Sequence, residues 1–120
     1  MWAVENTDEY KRHRKRYDKK RRKALQAVLD NLDTYLQALQ NGVKPLQIPY
    51  GFVHNEPCGV AAIDQSGGGK LPQTRLYVYA DSVTETLHVI TLGDKHSQQD
   101  DINYCREFVE ALRQQKEQDR

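Results

Sequence analysis

The chain is poor in the residues that build several classes of protein. Cysteine occurs twice in 120 residues, as Cys58 and Cys105, 47 positions apart. No Cys-x-x-Cys is present, and the Cys and His residues do not pair at zinc-finger spacing. Reduced thiols in a cytoplasmic protein are therefore expected, with no metal and no other cofactor. No apolar run approaches the roughly 18 residues of a membrane span. The opening MWAVENTDEY lacks a charged segment leading into an apolar one, so neither a signal peptide nor a membrane partner is expected. Apolar residues make up 38% of the chain and mean hydropathy is −0.88, which supports a modest core under a polar surface. The length suits a single domain, residues 1–120.

Charge is scarce only in the sum. The formal net charge of +1 conceals a basic block, YKRHRKRYDKKRRK, at residues 10–23. That block holds ten of the eighteen Lys and Arg residues and one acid, so it carries +9 against −8 for the remainder. An asymmetry of this size suits an anionic partner, either nucleic acid or the acidic arm of a protein. Its plainer alternative is a solvated helix face or a flexible tail. The block runs straight into an apolar helical stripe, which favours an ordered and functional segment.

Glycine and proline are absent between Thr7 and Asn41. One long helix is allowed there, or two with a break near Tyr17–Lys19. Thr7 or Asn6 can cap its start, and Asp8 and Glu9 suit its first turn. Leu25, Val28, Leu29, Leu32, Tyr35, Leu36 and Leu39 keep helical spacing, and Gly42 and Pro45 stop the run. Tyr10 and Tyr17 are the only sizeable apolar anchors in its first part. WAVENT is a short first strand candidate and CGVAAID another. TRLYVYAD alternates, with Leu76, Val78 and Ala80 on one face and Arg75, Tyr77 and Tyr79 on the other. DSVTE is a turn and TLHVITL the next strand, so a hairpin is expected. A last helix starts at Ser97, with Asp100 in capping-box position. Ile102, Cys105, Phe108, Val109 and Leu112 form its buried stripe, and residues 113–120 are expected to fray. The fold class is α+β with a small antiparallel sheet.

Three short motifs carry little chemistry. SGGGK lacks the glycine at position 64 and the Ser or Thr after the lysine that a phosphate loop needs, so it reads as a hairpin loop. HNEPC compresses into five residues what zinc deaminases separate, and its second cysteine is missing, so His54 and Glu56 read as the edge of a strand. His88, alone in a strand, reads as structural or surface.

The corner GDKH at residues 93–96 is stronger. It joins a strand to a helix N-terminus, where free N–H groups favour phosphate, and it adds Lys95 and His96. Arg75, Tyr77 and Tyr79 share a strand face that suits gripping phosphates and stacking bases. An ordinary polar sheet face with a well-capped helix is the plainer alternative.

TRLYVYAD…TLHVITLGDKHSQQDDI resembles the RelE/ParE superfamily of bacterial toxin–antitoxin toxins, over nearly the whole chain. GVAAIDQSGGGKLPQTRLYVY looks like that superfamily's central strand pair with a lengthened loop. The resemblance implies a RelE/ParE-like fold, with an N-terminal helical pair or one long helix on the sheet and a C-terminal helix. It also implies a ribosome-dependent, metal-independent mRNA endoribonuclease, with a cognate antitoxin, the ribosome and mRNA as partners. A 2′-hydroxyl attacks the adjacent phosphate, and basic side chains stabilise the developing charge. The family's strand arginine falls on Arg75 and its corner basic residue on Lys95, with Asp94 where a basic residue is more usual. The family's helix tyrosine falls on Asp101, and Tyr104 lies one turn later. His96 is a candidate acid or base. Lys11, Arg12, Arg14, Lys15, Arg16, Lys19, Lys20, Arg21, Arg22 and Lys23 would grip RNA backbone, with Lys70 a further basic candidate and Tyr77 or Tyr79 stacking a base. The same fold also accommodates a gyrase inhibitor, an inactive toxin that binds an antitoxin, or a basic nucleic-acid-binding module.

Overall fold

The computed structural model describes residues 1–65 and 71–118. Three helices and a five-stranded mixed sheet form three layers. The elements are β1 (Ala3–Asn6), α1 (Asp8–Lys20), α2 (Arg22–Gln40), β2 (Val53–Asn55), β3 (Val60–Asp64), β4 (Thr74–Asp81), β5 (Thr86–Asp94) and α3 (Gln98–Gln118). The α+β class is as expected. The sheet is not purely antiparallel, because β1 pairs parallel to β5, Ala3 opposite Thr86. Its order is β1-β5-β4-β3-β2. HNEPC contributes β2, which pairs with β3 at the opposite edge. The glycine-rich loop and Lys70 lie outside the described residues.

The helical pair is two helices, broken at Arg21 (φ −141°, ψ 48°), two residues beyond the expected zone. Thr7 caps α1: its Oγ1 accepts from the Tyr10 N–H at 3.0 Å. Tyr10 and Tyr17 are buried and anchor α1 as expected. At the far end of α2, Val43 N–H donates to Ala38 O and Gly42 N–H to Leu39 O, both at 3.0 Å. Gly42, at φ +91°, supplies the left-handed residue that this stop requires.

The core divides by sheet face. Leu25, Val28, Tyr35 and Leu39 of α2 join Ile63, Leu76, Val78, Leu87, Val89 and Leu92 on one side. Val60, Ala62, Tyr77 and Ile90 meet Cys105 and Val109 of α3 on the other. The β4 alternation therefore holds. In β5 the core positions step from Val89 to Leu92, three apart, because the register with β4 slips between Tyr77 and Val78. That bulge gives β5 an extra residue and resets which face its C-terminal end presents. Helix α3 runs on through Gln118, so residues 113–118, expected to fray, continue it. Lys116 there pairs with Asp81. Among the described residues no helix is long and apolar enough to cross a membrane.

Candidate functional site

Helix α1 takes over the edge of β5 where β1 ends. Thr7 N–H donates to Val89 O at 3.1 Å and Thr7 Oγ1 to Ile90 O at 2.5 Å. Further along α1, His13 Nδ1 lies 2.9 Å from Leu92 O, and Nε2 lies 2.6 Å from Glu9 Oε1. A helix thus satisfies a strand edge that would otherwise stay open. Past His13 the two elements part and leave a cleft of about 310 Å³. His13, Arg16, Tyr17, Lys20 and Arg21 line it from the helices, and Leu92, Gly93, Asp94 and Ser97 from the corner.

The corner closes on itself. Asp94 Oδ1 accepts from the N–H groups of His96 (2.9 Å) and Ser97 (3.1 Å). Ser97 Oγ accepts from the Asp94 N–H at 3.0 Å and donates to Asp101 Oδ2 at 2.7 Å. Ser97 therefore engages Asp101, not Asp100 as the capping-box spacing suggests. The chain's own carboxylate thus takes the N–H groups of the two residues that precede α3. A Cβ at Gly93 would overlap the Asp101 carboxylate and the Ser97 hydroxyl, so both side chains would have to move to admit one.

Charge follows from this packing. Burial opposes ionisation of Asp94, but the Ser97 and His96 N–H groups and the Arg21 guanidinium outweigh it and hold its carboxyl below the ordinary range. Burial pushes the Asp101 carboxyl up, only partly offset by Ser97 and His13, with Asp94 and Asp100 adding to the rise. Arg21 Nη1 sits 3.4 Å from Asp94 Oδ2. Its Cζ lies 5.8 Å from the Tyr17 ring centroid.

The basic block is not one surface. Arg16, Lys20 and Arg21 face the cleft. Lys19 to Lys23 line a neighbouring groove of about 360 Å³ with Leu71 and Pro72. Lys20 and Arg21 belong to both depressions. Lys11, Arg14 and Lys15 border a third hollow with Asn6, Tyr10 and Asp18. Arg12 pairs with Glu9 at 2.5 Å, and Arg22 with Asp18 at 3.4 Å.

No protein-family model and no curated protein sequence matches the chain. The residues themselves therefore carry the functional reading.

The remaining candidates are dispersed. Lys95 and His96 are exposed in the turn between Asp94 and Ser97. Arg75 lies opposite Gly93 in the sheet, but its guanidinium turns to Asp64 (3.0 Å) and Glu56 (3.9 Å) and its side chain is 15% exposed. It does not line the cleft. Tyr77 is fully buried under α3 and cannot stack a base, a second correction. Burial pushes its hydroxyl pKa upward, with Asp101, Glu56 and Cys105 adding to the rise. Tyr79 stacks on His88 with ring centroids 6.2 Å apart, in a separate depression beside Lys44, Leu46 and Arg113. Tyr104 is 38% exposed on α3. Burial raises its pKa, and the charge of Glu9 adds to the rise. His13 is the cleft residue that the sequence reading misses. Its signal is present in the helical phase: Tyr10, His13 and Tyr17 share one face at i, i+3, i+7.

Proposed function

We propose that the chain is a toxin-like member of the RelE/ParE superfamily. Its cleft between α1 and the β5–α3 corner takes the backbone of single-stranded RNA. One observation carries the reading: two cationic depressions share Lys20 and Arg21, and one of them ends at the corner that bears Lys95 and His96. Successive phosphates can follow such a track without any reading of base sequence. The element order, with a strand, two helices, an antiparallel strand group and a last helix, supports the same assignment.

The leading activity is ribosome-dependent cleavage of mRNA, with no metal in the reaction. The 2′-oxygen forms a bond to the adjacent phosphorus as the bond to the 5′-oxygen breaks. The 2′-proton passes to a base and the departing 5′-oxygen gains a proton. His96 is the proton-transfer candidate, and Lys95 and Lys20 are the candidates for holding charge on the phosphate oxygens. An antitoxin with an acidic segment would neutralise the protein by covering the basic block.

A second reading, RNA or antitoxin binding without cleavage, is favoured by the engagement of Arg75 with Asp64 and Glu56. Addition of the protein to a reconstituted translation reaction separates the two, with mRNA ends mapped by primer extension. The nuclease reading expects cuts at the ribosomal A site with wild type, and none with a Lys95→Ala, His96→Ala double variant. Ribosome binding without cuts from folded wild type assigns the second reading. Cleavage of naked mRNA without ribosomes contradicts the leading mechanism.

A further inference from the structure

We propose that Asp94 is an internal competitor for RNA phosphate, setting the affinity of the cleft through its hold on Arg21. This inference rests on the cleft being the RNA-backbone site. The two oxygens of the Asp94 carboxylate do different work. Oδ1 fixes the corner by accepting from the N–H groups of His96 and Ser97. An amide oxygen can also accept those two bonds. Oδ2 faces Arg21 Nη1 at 3.4 Å, and that contact depends on charge. Among the described residues, Arg16, Lys20 and Arg21 are the cations that line the cleft, and of these Arg21 meets a carboxylate that also lines it. The pair is half-open, with Arg21 37% and Asp94 26% exposed, so a phosphate can reach the guanidinium once the carboxylate yields. Arg21 is also shared with the neighbouring basic groove, so its release joins the two depressions into one cationic path. Arg21 occupies the break between α1 and α2, where the backbone leaves helical geometry. It is therefore the cleft cation placed to change partner without moving either helix.

The separation of the two oxygens supplies the test. Asp94→Asn keeps an acceptor for the corner and removes the charge. Binding of a fluorescein-labelled 2′-O-methyl polyuridine, which cannot be cleaved at its 2′-position, is followed by fluorescence polarisation over a salt series. The expected result for Asp94→Asn is binding tighter by about tenfold at low salt. The salt slope steepens by about 0.7, the contribution of one further phosphate on a single strand. Arg21→Gln alone weakens binding, because it removes a cation of the shared track and leaves the Asp94 carboxylate without its guanidinium. In the Arg21→Gln, Asp94→Asn pair the gain disappears. Asp18→Asn, which removes an exposed acid paired with Arg22 at 3.4 Å, controls for the general field. A gain from Asp94→Asn no larger than that from Asp18→Asn overturns the inference, as does a gain that survives Arg21→Gln. Circular dichroism melting verifies the fold, and Asp94→Ser replaces Asp94→Asn if the corner loosens. If wild type and every folded variant fail to bind, the RNA reading itself falls, and this inference with it.

Discussion

Arg75 and Lys20 are both sequence candidates for gripping RNA, and the fold treats them in opposite ways. Arg75 stands in the middle of the sheet, where β2, β3 and β4 bring Glu56 and Asp64 against it. Its charge is matched twice over and largely shielded from water. Lys20 stands at the end of α1, exposed, on the border of two basic depressions. A cation engaged by folded carboxylates holds structure together, whereas a cation on an open border is free for a partner. What separates them is not residue type or local motif but which acids the topology delivers beside each. Arg21 lies between the extremes, with one carboxylate and a partly open face.

The sharpest way to break the cleft side is at its corner. Gly93→Ala forces a methyl group into the Asp101 carboxylate and the Ser97 hydroxyl. A loss of about 3 kcal/mol in unfolding free energy is expected, the upper range for overpacking. Urea denaturation measures it, and a loss below about 1 kcal/mol would show that the corner relaxes freely. Arg75→Ala comes next, at about 2 kcal/mol, because it takes the guanidinium from Asp64 and Glu56 at a poorly solvated site, leaving Asp64 with His54 Nε2 at 2.6 Å. RNA affinity should stay within about twofold. Lys20→Ala should do the reverse, leaving stability within about 0.5 kcal/mol and reducing the salt slope of RNA binding by about 0.7. If the two variants lose affinity alike, the contrast between them is wrong.

Much of this is legible in the amino-acid pattern. The β4 alternation, the Thr7 cap, the α2 stripe and the Gly42 stop are local signals, and local signals survive folding. Arg75, Tyr77 and Tyr79 share one face, as their alternation indicates. What the pattern cannot say is what covers that face. Helix α3 lies over Tyr77, and that depends on a connection of only three residues after β5 turning back across the sheet. The engagement of Arg75 is hidden for the same reason, since Asp64 and Glu56 reach it through strand pairing and not through sequence proximity. The basic block looks uniform because charge counts ignore helical phase. Its splitting among three depressions follows from α1 burying Tyr10 and Tyr17. The parallel pairing of β1 is equally invisible, since a four-residue strand of ordinary composition carries no sign of its neighbour.

Two carboxylates at the corner sharpen the comparison through pH. Asp94 titrates below the ordinary aspartate value near 3.9 in the folded state. Its contribution to stability is full above that value and is lost as pH falls through its lower folded value. Asp94→Asn is therefore expected to be less stable than wild type at neutral pH, with the gap closing on acidification. Asp101 is shifted the other way. Its ionisation opposes folding, and the cost grows as pH rises from the ordinary value through the raised one. Asp101→Asn keeps an acceptor for Ser97 and should gain stability over wild type at neutral pH, with that gap also closing in acid. Denaturation midpoints across pH for the three proteins decide it, and equal signs for the two variants would refute the assignment.

The smallest effect is expected on the closed side. The Tyr77 hydroxyl is buried with no hydrogen-bond partner among the described residues. It sits close enough to Asp101, Arg75, Glu56 and Cys105 for each to influence its ionisation. A buried hydroxyl left unpaired gives up its bonds to water without replacement. Tyr77→Phe removes that hydroxyl and keeps the ring that packs against Cys105 and Val109. Stability should be unchanged or rise by about 0.5 kcal/mol, with RNA binding unaltered because the ring never meets the cleft. A loss above about 1 kcal/mol would mean that the hydroxyl finds a partner in solution, with bound water the first to seek. A loss of RNA affinity at unchanged stability would do more damage, because it would return the functional face to β4 and dissolve the distinction between Arg75 and Lys20.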